Sequence, residues 1–223
     1  MNILALDTST EYCSAALRVG DRTLQRGSLA GQSHSTVLLG MIGELLAESG
    51  LSYARLDGIA FGEGPGAFTG LRIACATVQG IAFAHALPVI GIGTLRALAA
   101  RCGAERVIAC LDARMGEVYH AEYRCEGGLW REVTAPRVCA PQAVPLPDGD
   151  GWHGCGSGFA AHGDVLRARL GHALAACDAL LLPHAFEIAA LAAPEFAAGR
   201  GLPAEAAQPL YVRDKVALKT AER

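Results

Sequence analysis

Residues 3–18, ILALDTSTEYCSAALR, and residues 107–124, VIACLDARMGEVYHAEYR, follow one plan. Each is an apolar strand ending in Leu-Asp, then a polar turn, then a second strand ending in Arg. Asp7 and Asp112 fall at matching places. Such self-similarity suggests a duplicated domain. An unrelated strand–turn–strand has the same look, and one pair does not separate the two.

Outward from the first copy, Gly20-Asp21 reads as a hairpin turn, with a third strand near Thr23–Leu29. Val37, Leu38, Met41, Ile42, Leu45 and Leu46 then recur as one stripe on a helix over 34–49. Ser33 or Ser35 is placed to cap its start and Gly50 its end. A buried strand over 56–64, a Gly-rich loop and a helix over 69–86 follow. Next come a strand at 88–93 and a helix ending at Gly103. Alternating strands and helices argue α/β layers around a sheet. Beyond the second copy, 140–151 reads as a loop, WHGCGSGFAAHGD as a strand-to-helix junction, and HAFEIAALAAPEFAAG as a helix that Pro194 kinks or splits.

The chain has 223 residues, 52% of them apolar and 18% charged, so it can bury a real core. Its net charge of −3 argues against gripping nucleic acid unaided, because phosphate neutralisation needs clustered Lys and Arg. Met1 leads directly into NILALDTST, with no basic segment and no cleavage site, which predicts a cytoplasmic protein. The uncharged run Ile73–Leu95 resembles a membrane span, but Gln79, Gly80, His85 and Pro88 interrupt it. It reads as a buried helix, a turn and a buried strand. Eight cysteines show no CxxC spacing and read as reduced, mostly buried small apolar residues.

The loop in FGEGPGAFTGLR, residues 61–72, runs from a strand into a helix start, the layout of an anion site. It is neither a Walker loop nor GxGxxG, and Gly64-Pro65-Gly66 reads first as a tight turn. Asp7, Thr8, Ser9 and Thr10 at a strand end resemble the first phosphate loop of actin-like and sugar-kinase ATPases. No Gly lies between Asp7 and Thr10, so close backbone approach to a phosphate is hard, and an Asp closing its own turn is at least as good a reading. His34 has no second His at helical spacing, and no metal pattern emerges. Ser157 fails as a GxSxG elbow because the first Gly would have to be Cys155. Gly40 and Gly43 each cost a helix about 1 kcal/mol against Ala, and Ala76, Gly80 and Ala84 form a small-residue ridge at four-residue spacing. Both helices could simply pack on their own sheet; the favoured reading is a contact with another subunit.

LDTST, HSTVLLGMIGELL, GEGPGAFTGLRIACATVQGIA, LDARMGEVYHAEY and PLYVRDKVALK together resemble the bacterial TsaB family. The resemblance covers nearly the whole chain and is weakest over 125–150. It implies two related α/β halves of the actin-like, sugar-kinase and heat-shock-protein ATPase fold (ASKHA), with mixed sheets flanked by helices. The halves would be 1–103, carrying the partner-binding helices, and 104–223. It implies a non-catalytic subunit, with neither cofactor nor metal, for threonylcarbamoyl modification of the adenosine 3′ of the anticodon in tRNAs reading codons that begin with A. Implied partners are a catalytic paralogue of the TsaD family, a P-loop ATPase of the TsaE family, a second copy when the chain is alone, and tRNA only through the complex. The implied interface comprises Leu38, Met41, Ile42, Leu45, Ala76, Gly80, Phe83 and Ala84. Asp7, Thr8, Thr10, Gly64, Gly66 and Asp112 would be vestiges of a nucleotide site. The rival is a small-molecule phosphotransferase or ATPase of the same fold, with magnesium-nucleotide held near Asp7 and Asp112.

Overall fold

The computed structural model describes residues 1–31 and 33–213. Its first sheet comprises β1 (Asn2–Asp7), β2 (Tyr12–Val19), β3 (Arg22–Leu29), β4 (Gly58–Gly64) and β5 (Val89–Gly93), in the order β3-β2-β1-β4-β5. Its second comprises β6 (Arg106–Asp112), β7 (Val118–Glu126), β8 (Leu129–Cys139), β9 (Trp152–Cys155) and β10 (Leu174–Asp178), in the order β8-β7-β6-β9-β10. In each, the first three strands run antiparallel as a meander and the last two add in parallel beside the first. Strand for strand the two sheets are the same object, so the fold is the two-halved α/β architecture of the ASKHA proteins.

Among the described residues five α-helices complete it: α1 (His34–Ser49), α2 (Phe68–His85), α3 (Thr94–Cys102), α4 (Ser157–Leu170) and α5 (Ala185–Ala197). Strand alternation sorts β1 between two layers. Leu4 and Leu6 meet Leu38, Ile42 and Leu45 of α1 and Val78 and Ala82 of α2. Ile3 and Ala5 point the other way, onto Ile188, Ala189 and Ala192 of α5. That second layer is Ala-rich on both sides, which lets α5 lie close to the sheet. The chain thus returns from the second half to cover the first, where Ser14 Oγ accepts from the Ala185 N–H at 2.9 Å. Helix α3 sits between the sheets: Ala97 joins the core of the first, while Leu95, Leu98 and Ala99 join Val107, Ala109 and Tyr123 of the second. Helix α4 covers the opposite face of the second sheet through Phe159, Leu166 and Leu170.

Several local readings shift. Ser33 stands at the start of α1 without a side-chain capping bond, whereas Gly50 ends it in the left-handed conformation at φ +69°. Pro194 does not split α5, which runs as one helix through it. Strands β8 and β10 have no counterpart in the sequence reading; β8 mixes charged and apolar residues without a regular alternation, with much of its length exposed. The apolar run Ile73–Leu95 divides into α2, the Pro88 turn and β5. Among the described residues, no helix is long and apolar enough to cross a membrane.

Candidate functional site

The Gly-rich loop closes on the Asp7 turn. Ala67 N–H donates to the Ser9 carbonyl at 2.7 Å, and Thr8 Oγ1 donates to the Gly70 carbonyl at 2.7 Å. A Cβ on Gly66 would lie 2.5 Å from the Ser9 oxygen, and one on Gly70 would lie 1.8 Å from the Thr8 oxygen. Only glycine permits this approach. Gly64 supplies the bend before it, at φ +123°. The Asp7 carboxylate turns inward, accepting from Ser9 N–H at 3.1 Å and Ser9 Oγ at 2.9 Å. It presses on β4, where a Cβ at Gly62 would lie 2.0 Å from its Oδ2. Asp7 is fully buried, and burial pushes its carboxyl up to about 7 despite the opposing Ser9 bonds. The N–H groups of Ser9 and Tyr12, which a phosphate loop would turn toward its ligand, are spent on Asp7 and on Thr10 Oγ1.

Between the halves lies a cleft of about 1350 Å³. Thr10, His34 and the start of α2 form one wall, and Asp112, Tyr119 and Ser157 form the other. Asp112, the counterpart of Asp7, does face this space, yet it is engaged. Its two carboxylate oxygens accept from the Arg114 backbone N–H and from Arg114 Nη1, both at 2.9 Å. Its own N–H donates to Ser157 Oγ at 3.1 Å, so the failed elbow serine has a structural partner. The N-termini of α1, α2 and α4 border the cleft without a side-chain cap or an acidic first-turn residue, which leaves that border partially positive. The segment 207–213 straps the halves together. Gln79 Nε2 donates to the Ala207 carbonyl, Arg72 Nε to Tyr211 Oη, and Arg213 pairs with Glu117. The rest of PLYVRDKVALK, from residue 214, lies outside the described residues.

The helix face needs correction. Leu38, Ile42 and Leu45 are 0% exposed, buried in the first core, and have no surface to offer a partner. The apolar stripe of α1 turns to the sheet, because core burial claims the most apolar side of a helix first. Met41 is half-buried at the edge of that core. Ala76, Gly80 and Ala84 do stand exposed along α2, with Phe83 beside them at 75% exposure. The sequence reading left out Leu39, 56% exposed on α1, although the neighbouring Gly40 and Gly43 marked that side. A Cβ on Gly40, Gly43 or Gly80 would meet nothing within 4 Å.

All eight cysteines are free thiols. Among the described residues, no group of three or more His, Cys, Asp or Glu could hold a metal ion.

The family model for TsaD, tRNA N6-adenosine threonylcarbamoyltransferase, matches residues 27–217. The tRNA threonylcarbamoyladenosine biosynthesis protein TsaB of Haemophilus influenzae is 38% identical, covering 98% of this chain and 96% of the relative. That of Escherichia coli is 39% identical, covering 98% and 97%. A solved structure of YeaZ from Pseudomonas aeruginosa superposes with a TM-score of 0.88 at 43% identity, covering 94% of this chain and 99% of that one. With the duplicated sheets and full-length identity in agreement, this chain belongs to the TsaB family of tRNA threonylcarbamoyladenosine biosynthesis proteins, within the wider group that the TsaD model describes.

Proposed function

We propose that this chain is an accessory, non-catalytic subunit in threonylcarbamoyl modification of the adenosine 3′ of the anticodon, in tRNAs reading codons that begin with A. It scaffolds and stabilises a catalytic paralogue of the TsaD family, helps recruit a P-loop ATPase of the TsaE family, and reaches tRNA only through the complex in the cytoplasm. The first half, residues 1–103, carries the contact through α1 and α2, and 104–223 forms the second half. Without the paralogue, the same face pairs two copies of this chain.

The observation that carries this reading is the exposed small-residue face. Gly40, Gly43 and Gly80 stand inside exposed helix surface where the fold itself leaves room for a larger residue. Each costs about 1 kcal/mol relative to Ala. Together that is a sizeable part of a stability of about 5–15 kcal/mol. A second backbone approaching the ridge gives these glycines a use. The Asp7 turn supports a non-catalytic role, since the Asp7 carboxyl and the N–H groups of Ser9 and Tyr12 are bonded within the fold. Co-purification with the TsaD-family paralogue, alongside magnesium-ATP calorimetry on this chain alone, tests the reading. Complex formation without nucleotide turnover by the isolated chain is expected. Turnover abolished by Asp7→Ala, or failure to bind the paralogue, would overturn it.

A further inference from the structure

We propose that residues 207–213 form a releasable clasp, anchored on the first half and latched to the second through Arg213, which holds the cleft at its observed width. The anchor rests on the strap's backbone. The Ala207 carbonyl accepts from Cys75 Sγ at 2.9 Å and from Gln79 Nε2 at 2.8 Å, and the Leu210 N–H donates to the Glu63 carbonyl at 2.7 Å. The Leu210 carbonyl lies so close to β4 that a Cβ on Gly64 would stand 2.6 Å from it. Farther along, Tyr211 Oη accepts from Arg72 Nε at 3.0 Å, and the Tyr211 ring packs against Phe68 at 5.5 Å between centroids. Glu63 and Gly64 belong to β4, and Phe68, Arg72, Cys75 and Gln79 to α2, so every one of these contacts ends on the first half.

The latch is different in kind. Among the described residues, the hydrogen bonds and ion pair from the strap to the second half all come from the Arg213 side chain. Its guanidinium pairs with the Glu117 carboxylate, donates to Met115 Sδ at 3.5 Å and lies 6.0 Å from the Tyr119 ring centroid. The Glu117 side chain is 37% exposed. An ion pair this open is weak and screened by salt, which the backbone bonds of the anchor are not. The turn that receives Arg213 is strained. Arg114 and Met115 stand left-handed at φ +62° and +55°, ahead of Gly116 at +75°. Residues with side chains keep that conformation only where their surroundings enforce it. Arg213 touches Met115 and Glu117, on either side of Gly116, so its release lets the turn relax.

The clasp also sits where it governs the cleft. Leu210, Tyr211 and Arg213 line that space, with Phe68 of the first half and Met115 and Tyr119 of the second. The chain passes between the halves after α3 and before α5 as well, but neither crossing, 103–105 nor 179–184, lines the cleft. The halves are thus joined at those crossings and clasped across the cleft. Domain hinges absorb motion in a few such connecting residues. With Arg213 engaged the two walls stay together; with it released the second half swings on the crossings and the cleft widens.

Hydrogen–deuterium exchange of the purified full-length protein reads latch and anchor separately. Arg213→Gln removes the charge from the strap, and Glu117→Gln removes it from the turn. In each, protection of the Ala113 and Glu117 amides, which bond across the turn, should fall about fivefold. Protection of the Leu210 amide should not change. Raising sodium chloride from about 0.05 M to about 1 M should lower protection of the turn in the unmutated protein and leave Arg213→Gln unaffected. Small-angle X-ray scattering should give a larger radius of gyration for Arg213→Gln than for the unmutated chain. Unchanged protection of the turn in a folded variant, an equal loss at Leu210, or an unchanged radius of gyration would overturn the proposal. If neither variant folds, the salt series on the unmutated protein decides it.

Discussion

Thr8 and Gly70 hold each other twice: the Thr8 hydroxyl donates to the Gly70 carbonyl at 2.7 Å, and the Thr8 carbonyl occupies the space where a side chain on residue 70 would begin. The glycines of the 64–70 loop thus serve the turn that follows β1. They do what glycines do around a phosphate, admitting something close to the backbone, but the guest is the protein's own chain.

This contact gives one substitution two opposite outcomes. Gly70→Ala places a methyl 1.8 Å from backbone oxygen and should destabilise the fold by about 3 kcal/mol or more, since neither backbone can yield cheaply. Gly80→Ala adds the same methyl where nothing lies within 4 Å and should stabilise the isolated chain by about 1 kcal/mol. It should also weaken association, because the methyl stands on the proposed contact. Urea unfolding of both variants checks the first pair of outcomes. Sedimentation of Gly80→Ala checks the third.

The two kinds of apolar residue on the helices should also separate. Leu38→Ala empties a core position and should cost about 2–5 kcal/mol. Phe83→Ala, at 75% exposure, should change stability by no more than about 0.5 kcal/mol, yet weaken binding to the paralogue. A binding titration beside thermal unfolding distinguishes them. Phe83→Ala binding as the unmutated chain does would remove Phe83 from the interface.

Asp7 makes stability depend on pH in a stated direction. Its carboxyl is raised from 3.8 to about 7 by burial. Below about pH 4 both folded and unfolded forms are protonated, and the contribution is fully present. As pH rises from about 4 to 7, the unfolded chain releases a proton that the folded chain keeps, so stability falls; above about 7 it levels off. Asp7→Asn stays neutral and keeps an oxygen for Ser9. Relative to that variant, the unmutated protein should lose on the order of 3–4 kcal/mol across this window. Parallel urea-stability profiles would show that Asp7 ionises as freely folded as unfolded.

The duplicated fold was legible because two copies of one strand–turn–strand preserve a pattern that local physics writes directly: apolar runs, an Asp at the strand end, a polar turn. Strand β8 was not legible, since an exposed edge strand carries charges where a buried one carries apolar residues. The helix face was half legible. Periodicity marks a stripe, but not whether sheet or partner receives it, so Leu38, Ile42 and Leu45 were assigned to the wrong surface. Small residues inside a helix told more, because Gly40, Gly43 and Gly80 cost stability that the isolated fold does not recover. The sealing of Asp7 was visible only in part: the missing glycine after it argued against a phosphate, while the closing partner lies some sixty residues away in sequence.

The proposed contact with a TsaD-family paralogue lies on the α1–α2 face. Gly80→Arg tests it, because a Cβ there meets nothing within 4 Å, the position is exposed, and the variant should remain folded. At an interface the same change both separates the helices and buries a charge without a partner. Sedimentation velocity of the unmutated chain and of Gly80→Arg, each alone and mixed with the TsaD-family paralogue, reads the outcome. The unmutated chain should form a homodimer and a complex, and the folded variant should form neither. A folded Gly80→Arg that still associates in both ways would contradict it.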